Sequence, residues 1–224
     1  MSSLQERAFF HEGMREFQDE FDGRRVADAI EHHRKHYSFW DDERELIQST
    51  QFFFIASTFG EYVDCSVKSG DPGFVKIVGG NVIEYPEYDG NSMYRTLGNI
   101  KRNSNVGLLF VKFDGKSRRI RINGKASIHT EEEFLERHYG AKVVVRIECE
   151  LYPNCPRYIP NLLDMASSPY VPRKDASPPP VPEWKRRDYI REVLPRDDPH
   201  RTRFGRGDRT SPERRLGNAA CGEA

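Results

Sequence analysis

The stretch from Tyr62 to Val111 most tightly constrains how this chain can fold, because short apolar runs alternate there with loops that only turn-forming residues make well. Its residue types read in order as strand, Gly/Pro loop, hairpin, polar loop, helix and strand. Tyr62 to Lys68 alternates, with Val63, Cys65 and Val67 on one face and Tyr62, Asp64, Ser66 and Lys68 on the other. Ser69-Gly70-Asp71-Pro72-Gly73 follows, a loop whose glycines let the backbone approach a neighbour closely. Gly79-Gly80-Asn81 predicts a tight hairpin, with residues that accept positive φ. Met93, Tyr94, Leu97 and Ile100 then recur at helical spacing, which predicts a helix with that face buried.

The flanks extend this pattern. Gln51 to Thr58 is a continuous apolar run, suited to a central strand buried on both sides. Arg119 and Arg121 alternate with Ile120 and Ile122, and Asn123-Gly124 marks a bend. Thr130 with Glu133 forms a capping box for a helix over Glu131 to His138. Val143, Val145, Ile147, Cys149 and Leu151 share one face of a last strand. Upstream, residues 4–36 read as helix broken near Asp22-Gly23, with Phe9, Met14, Phe17, Phe21, Val26 and Ile30 as its apolar stripe. Asp41-Asp42-Glu43 starts a further short helix, where carboxylates suit the dipole. The fold class is α+β, mainly β.

Beyond Tyr152 the character changes. Twelve of the fourteen prolines lie from Pro153 to Pro212, which excludes interior strands. Four segments follow: an N-terminal helical part (1–48), a β domain (49–160), a partly docked Pro-rich extension (161–194) carrying Trp184, Tyr189 and Ile190, and a disordered tail (195–224). The formal net charge is zero, and residues 165–224 hold thirteen Lys and Arg against nine Asp and Glu, too slight a bias to indicate nucleic acid. Cys65, Cys149, Cys155 and Cys221 show no metal spacing, and Cys65 and Cys149 read as inward core residues. His32, His33 and His36 lack a further ligand for a metal. With no apolar leader and no membrane span, a cytoplasmic setting is the expectation. No GxGxxG dinucleotide pattern and no GxSxG nucleophile elbow is present.

The chemistry concentrates at the start of the Met93 helix. Asn91 or Ser92 caps it, leaving backbone N–H groups and the positive end of the dipole outward. Arg95 and Asn99 lie four apart on its polar side, and Lys68 comes from the neighbouring strand. Such a set suits a phosphate. It suits an ordinary capped surface helix equally, so the residues by themselves leave both open.

Five segments carry a resemblance: Gly70-Asp71-Pro72-Gly73-Phe74, GNSMYRTLGNI from Gly90 to Ile100, NVGLLFV from Asn105, RIRINGKASI from Arg119 to Ile128, and NCPRYIP from Asn154 to Pro160. Together they resemble the pyridoxamine 5'-phosphate oxidase-like, FMN-binding split-barrel family, in its uncharacterised branch, over roughly residues 15–160. The resemblance implies a split β-barrel, FMN, and a homodimer with flavin at the interface. Ser66, Val67, Lys68, Ser69 and Gly70 would then line the ring and ribityl chain. Tyr85, Pro86, Asn91, Ser92 and Arg95 would surround the phosphate, and Arg119 would reach the flavin of the partner subunit. Better-known members carry an Arg-Lys pair where this chain has Asn91-Ser92, so Arg95 and Lys68 are the expected substitutes. The implied function is an FMN-dependent oxidoreductase acting on an unknown small molecule, with NAD(P)H a candidate donor. The alternatives are pyridoxamine or pyridoxine 5'-phosphate oxidase proper, a flavin-binding module without turnover, and a deazaflavin-dependent reductase. The vitamin B6 oxidase's Trp followed by Arg-x-His near the chain end has no match, since Trp184 precedes Lys185-Arg186-Arg187 and Pro199-His200-Arg201 has the wrong order.

Overall fold

Alternating β-branched and aromatic residues build seven strands: β1 (Phe52–Phe59), β2 (Tyr62–Ser69), β3 (Lys76–Ile77), β4 (Val82–Glu87), β5 (Asn105–Val111), β6 (Arg119–His129) and β7 (Val143–Pro153). Among the described residues five α-helices accompany them: α1 (Glu12–Glu20), α2 (Arg24–Arg34), α3 (Asp41–Gln48), α4 (Arg95–Arg102) and α5 (Glu132–Leu135). The structure is a computed structural model that describes residues 8–113, 118–153, 170–174, 176–181, 183–186 and 198. The strands form one sheet in the order β2-β1-β5-β6-β7-β4-β3, and every pairing is antiparallel.

The sheet curls into a barrel. In a flat sheet β2 and β4, five strand spacings apart, would lie about 24 Å from each other. Instead Lys68 Nζ on β2 lies 2.6 Å from Glu87 Oε1 at the end of β4. Phe53 on β1 likewise meets Tyr85 on β4 edge-to-face, with centroids 5.1 Å apart. No ladder joins β2 to β4 or β3, so the barrel is split between them. Its core is Phe53, Ile55, Ile83, Tyr85, Phe110, Ile120, Ile122, Ile147 and Leu151, all fully buried. Ile47 of α3 closes one side of the same cluster.

Several expectations are corrected. β1 is one-sided: Phe53, Ile55 and Ser57 point inward, whereas Ala56 is exposed. β2 is inverted, with Val63, Cys65 and Val67 outward and Asp64, Ser66 and Lys68 half-buried inside, because its inner face meets a polar cleft and not the apolar core. Cys65 is therefore exposed, whereas Cys149 is buried as expected, and burial pushes its thiol up. Asn123-Gly124 lies inside unbroken β6 and makes no bend. A Cβ at Gly124 would stand 2.5 Å from Ile147 Cγ2 and 2.7 Å from the Glu148 carbonyl oxygen, so glycine is there for strand packing. The Gly79–Asn81 hairpin forms, closed by Val78 N–H donating to the Val82 carbonyl at 2.9 Å, without positive φ at any of the three. α5 is one turn long and lacks a side-chain cap from Thr130.

The N-terminal helices break where expected, at Asp22 with φ 50°. Their stripe of Met14, Phe17, Phe21, Val26 and Ile30 is exposed, however, and neither helix buries a residue. A two-bond bridge between His36 and Leu151 ties the segment after α2 to β7. Beyond the barrel, Val171 is buried and the Arg173 guanidinium pairs with Asp71, its Nη2 2.9 Å from Oδ1. Residues 180–224 form a second unit, described only as a 3-10 helix at Glu183–Arg186 and by Lys185 Nζ 2.8 Å from Asp198 Oδ2. Asn154–Pro160, Cys155, Cys221, Tyr189, Ile190 and the Pro199–Arg201 run lie outside the described residues.

Candidate functional site

At the split of the barrel the inner face of β2, the start of α4, the loop after β4 and the start of β7 enclose a cleft of about 480 Å³. That volume falls within the range of small-molecule sites, about 300–1,000 Å³. The loop is locally shaped. Asn91 Oδ1 accepts the Met93 N–H at 3.1 Å, and Ser92 (φ 60°) and Tyr94 (φ 49°) both adopt the left-handed conformation that non-glycine residues rarely take. This turn carries the chain into α4 at Arg95 and leaves Met93 and Tyr94 61% and 56% exposed, so the helix starts later than the spacing predicts. Neither Asn91 nor Ser92 caps it, and Tyr94, at the capping position, offers no side-chain bond. The first turn thus has no side-chain cap from Tyr94, and its residues Arg95, Thr96 and Leu97 line the cleft.

Polar groups of β2 and α4 are bound into one network. Asp64 Oδ2 accepts hydrogen bonds from Ser66 and Thr96, both at 2.8 Å, and Oδ1 accepts from Arg95 Nε at 3.1 Å. Arg95 Nη2 also donates to the Val63 carbonyl at 3.2 Å. Burial pushes the Asp64 carboxyl up, but the bonds from Thr96, Ser66 and Arg95 together outweigh it and hold it below its ordinary value. Across the cleft Lys68 pairs with Glu87, and Lys142 pairs with Asp89 at 2.8 Å. Asn99, expected on the polar side, is buried and donates through Nδ2 to the Tyr62 carbonyl at 3.0 Å and to Ser57, locking α4 onto the β1–β2 turn.

A second polar cluster lies on the far side of β4. Fully buried Glu84 accepts from Arg137 Nε at 3.1 Å and Nη2 at 3.0 Å, and from Arg146 Nη1 at 2.7 Å. Burial pushes its carboxyl up, and the two guanidinium groups more than reverse that. Buried His138 lies 3.5 Å from the same carboxylate, and burial together with Lys76 holds its pKa down.

A profile of the pyridoxamine 5'-phosphate oxidase family matches residues 39–156, just over half of the chain and all seven strands. The chain belongs to the pyridoxamine 5'-phosphate oxidase family. Solved structures with a similar fold include HupZ of Group A Streptococcus, 18% identical, spanning 55% of this chain and 98% of that one with a TM-score of 0.42. An FMN-binding protein of Syntrophomonas wolfei is 10% identical, spanning 62% and 98% with a TM-score of 0.39. A NimC/NimA family protein of Clostridium acetobutylicum is 13% identical, spanning 52% and 95% with a TM-score of 0.36. No curated protein matches the sequence.

Among the residues that the oxidase-family resemblance singles out, Ser66, Val67, Lys68, Asn91, Ser92 and Arg95 line the cleft. Ser69, Gly70, Tyr85, Pro86 and Arg119 do not. Tyr85 is in the barrel core, packed on Phe53, because its position in β4 points inward. Pro86 borders a smaller pocket with Asp71, Pro72 and His138. Gly70 is close to something, but it is Phe74 of its own loop: a Cβ there would stand 2.5 Å from the Phe74 ring. Arg119 starts β6 opposite Val111, away from this chain's own cleft. Asp64, Glu87, Thr96 and Lys142 line the cleft without having been singled out. Asp64 was in phase with Ser66 and Lys68, and Thr96 adjoins Arg95, so those two carried a readable signal. Among the described residues no group of three or more His, Cys, Asp or Glu could hold a metal, and no helix is long and apolar enough to cross a membrane.

Proposed function

We propose that the cleft holds the phosphate end of FMN and that the protein is an FMN-dependent oxidoreductase acting on a small molecule. The observation that carries this reading is the convergence of Lys68, Arg95 and the uncapped first turn of α4 on one cleft of a family member. The donor chemistry fits a phosphate monoester. Arg95 uses Nε and Nη2 inside the protein, which leaves Nη1 for a ligand, and the ammonium of Lys68 has donors beyond its contact with Glu87. The α4 amides add neutral donors. When bound, the flavin supplies the redox chemistry, and the protein supplies orientation and charge.

The chain's own part in the reaction is positional. Asp64 fixes the guanidinium plane of Arg95 before a ligand arrives, with Thr96 and Ser66 bracing the carboxylate, which reduces the ordering cost of binding. No histidine lines the cleft among the described residues, so the reading assigns no imidazole acid or base. The protein acts as a homodimer in this proposal. Val63 and Val67 on the outer face of edge strand β2 are 69% and 57% exposed, an apolar surface suited to a second copy. That copy would bring its Arg119 to the flavin, as the family resemblance implies.

Fluorescence titration with FMN and riboflavin tests the binding. FMN binds the native protein, and Arg95→Ala weakens FMN about tenfold while leaving riboflavin nearly unchanged, since only FMN carries the phosphate. Stopped-flow reduction of the bound flavin by NADH or NADPH, followed by reoxidation, tests turnover. No binding refutes the cofactor, and reduction no faster than that of free FMN across donors leaves a binding module instead.

A further inference from the structure

Lys68 is held by a carboxylate whose own position is poorly satisfied. Lys68 Nζ and Glu87 Oε1 are 2.6 Å apart, with side chains 16% and 17% exposed, yet Oε1 has no properly aligned hydrogen bond. The buried Tyr85 hydroxyl lies against the Glu87 carboxylate from the core side, also without a well-aligned hydrogen bond. Glu87 and Tyr85 thus meet between the cleft and the core with fewer well-aligned bonds than they can make, and buried groups in that condition are costly. The contrast with Asp64 is sharp. Asp64 receives three bonds at good distance and leaves Arg95 Nη1 uncommitted, so it orients a cation without neutralising its outward side. Glu87 reaches the ammonium itself, the part of Lys68 that an anion would bind.

We infer that Glu87 is a displaceable internal counterion, which occupies Lys68 in the free protein and gives it up to the phosphate of the incoming ligand. Glu87 is therefore a positioning residue that limits the preference of the cleft for anionic over neutral ligands. A neutral ligand leaves the Lys68–Glu87 pair intact, whereas a phosphate must exchange one carboxylate contact for its own. The exchange lowers phosphate affinity below what Lys68 alone would give, which keeps binding reversible. Barrel closure does not depend on this pair, because Phe53 packs on Tyr85 behind it and Asn99 anchors α4 to the β1–β2 turn.

This rests on the phosphate reading above, and the test separates the two. Glu87→Gln keeps the shape and removes the charge. FMN affinity then rises about tenfold, riboflavin affinity stays within twofold, and most of the gain disappears when Lys68→Met is added. An unchanged or weaker FMN affinity, an equal change for riboflavin, or a gain that survives intact in the Lys68→Met background overturns the inference. If the native protein binds no flavin, the FMN reading fails on its own, and pyrophosphate-dependent thermal stabilisation decides on Glu87. Glu87→Gln then responds to about tenfold less pyrophosphate than the native chain, and an identical response overturns the inference. Should Glu87→Gln fail to fold, Glu87→Asp withdraws the carboxylate by one methylene and is held to the same comparisons.

Discussion

Replacing Asp64 by Asn separates charge from shape at the centre of the site. Asp64 lies at 10% side-chain exposure and accepts three hydrogen bonds, one of them from a guanidinium. A hydrogen bond to a charged group contributes about 1.5–3 kcal/mol. Arg95 is half-exposed, so water recovers part of that loss and favours the lower end. With the Asn carbonyl oxygen in the Oδ2 position both hydroxyl donors are kept, and the new NH₂ faces the Arg95 Nε–H, which loses its acceptor. A destabilisation of about 2 kcal/mol at pH 7 follows. The dependence on pH has a definite sign. The folded carboxyl is held below its unfolded value of about 3.9, so its contribution is fully present above that value and is lost as the pH falls through the folded pKa. Urea denaturation of both proteins at steps from pH 8 downward checks this. The gap between them is constant from pH 8 to about 5 and narrows below about 4. A gap under 0.5 kcal/mol at pH 7, or one that persists undiminished at the acid end, would refute the reasoning.

Two further outcomes follow from the packing. Gly124→Ala costs about 1–3 kcal/mol in urea denaturation, because the Cβ would press on Ile147 and on the backbone oxygen of Glu148, which a rotamer change cannot move; no loss would mean that β6 and β7 sit further apart. Light scattering returns twice the 26.0 kDa chain mass, and Val63→Asp shifts it to the monomer while leaving Arg95-dependent phosphate binding measurable.

How far the sequence reaches can be judged from β2 and α4. Period-two alternation showed that Asp64, Ser66 and Lys68 share a face, but not which face turns inward. In most strands the apolar face is the inner one, as Val145, Ile147, Cys149 and Leu151 show in β7. β2 breaks that rule because it lies at a sheet edge: its inner side lines the cleft, and its apolar side is left for another surface. The same logic explains Tyr85. Its aromatic ring and hydroxyl suit a ligand wall as well as a core, and only the closure of β4 onto β1 decides for the core. In α4 the apolar spacing of Met93 and Tyr94 indicated a helix face, whereas the left-handed turn at Ser92 and Tyr94 placed both residues outside it.

The ion pairs were the least readable part. Lys68 and Arg95 stand out as cations near a helix start, but their charge toward a ligand depends on Glu87 and Asp64, which only the three-dimensional closure brings beside them. Counting positive residues would give a strongly attractive phosphate site. Pairing them gives a site in which Asp64 arranges donors and Glu87 competes for one, so two carboxylates in the same cleft have opposite effects on an anion. Removing the first disorders the donors, and removing the second frees one. Asp64→Asn should accordingly weaken FMN, and Glu87→Gln should strengthen it, in the same titration. Equal signs for both would mean that net charge alone governs the cleft, and that the geometry of the two pairs has no part in selecting the ligand.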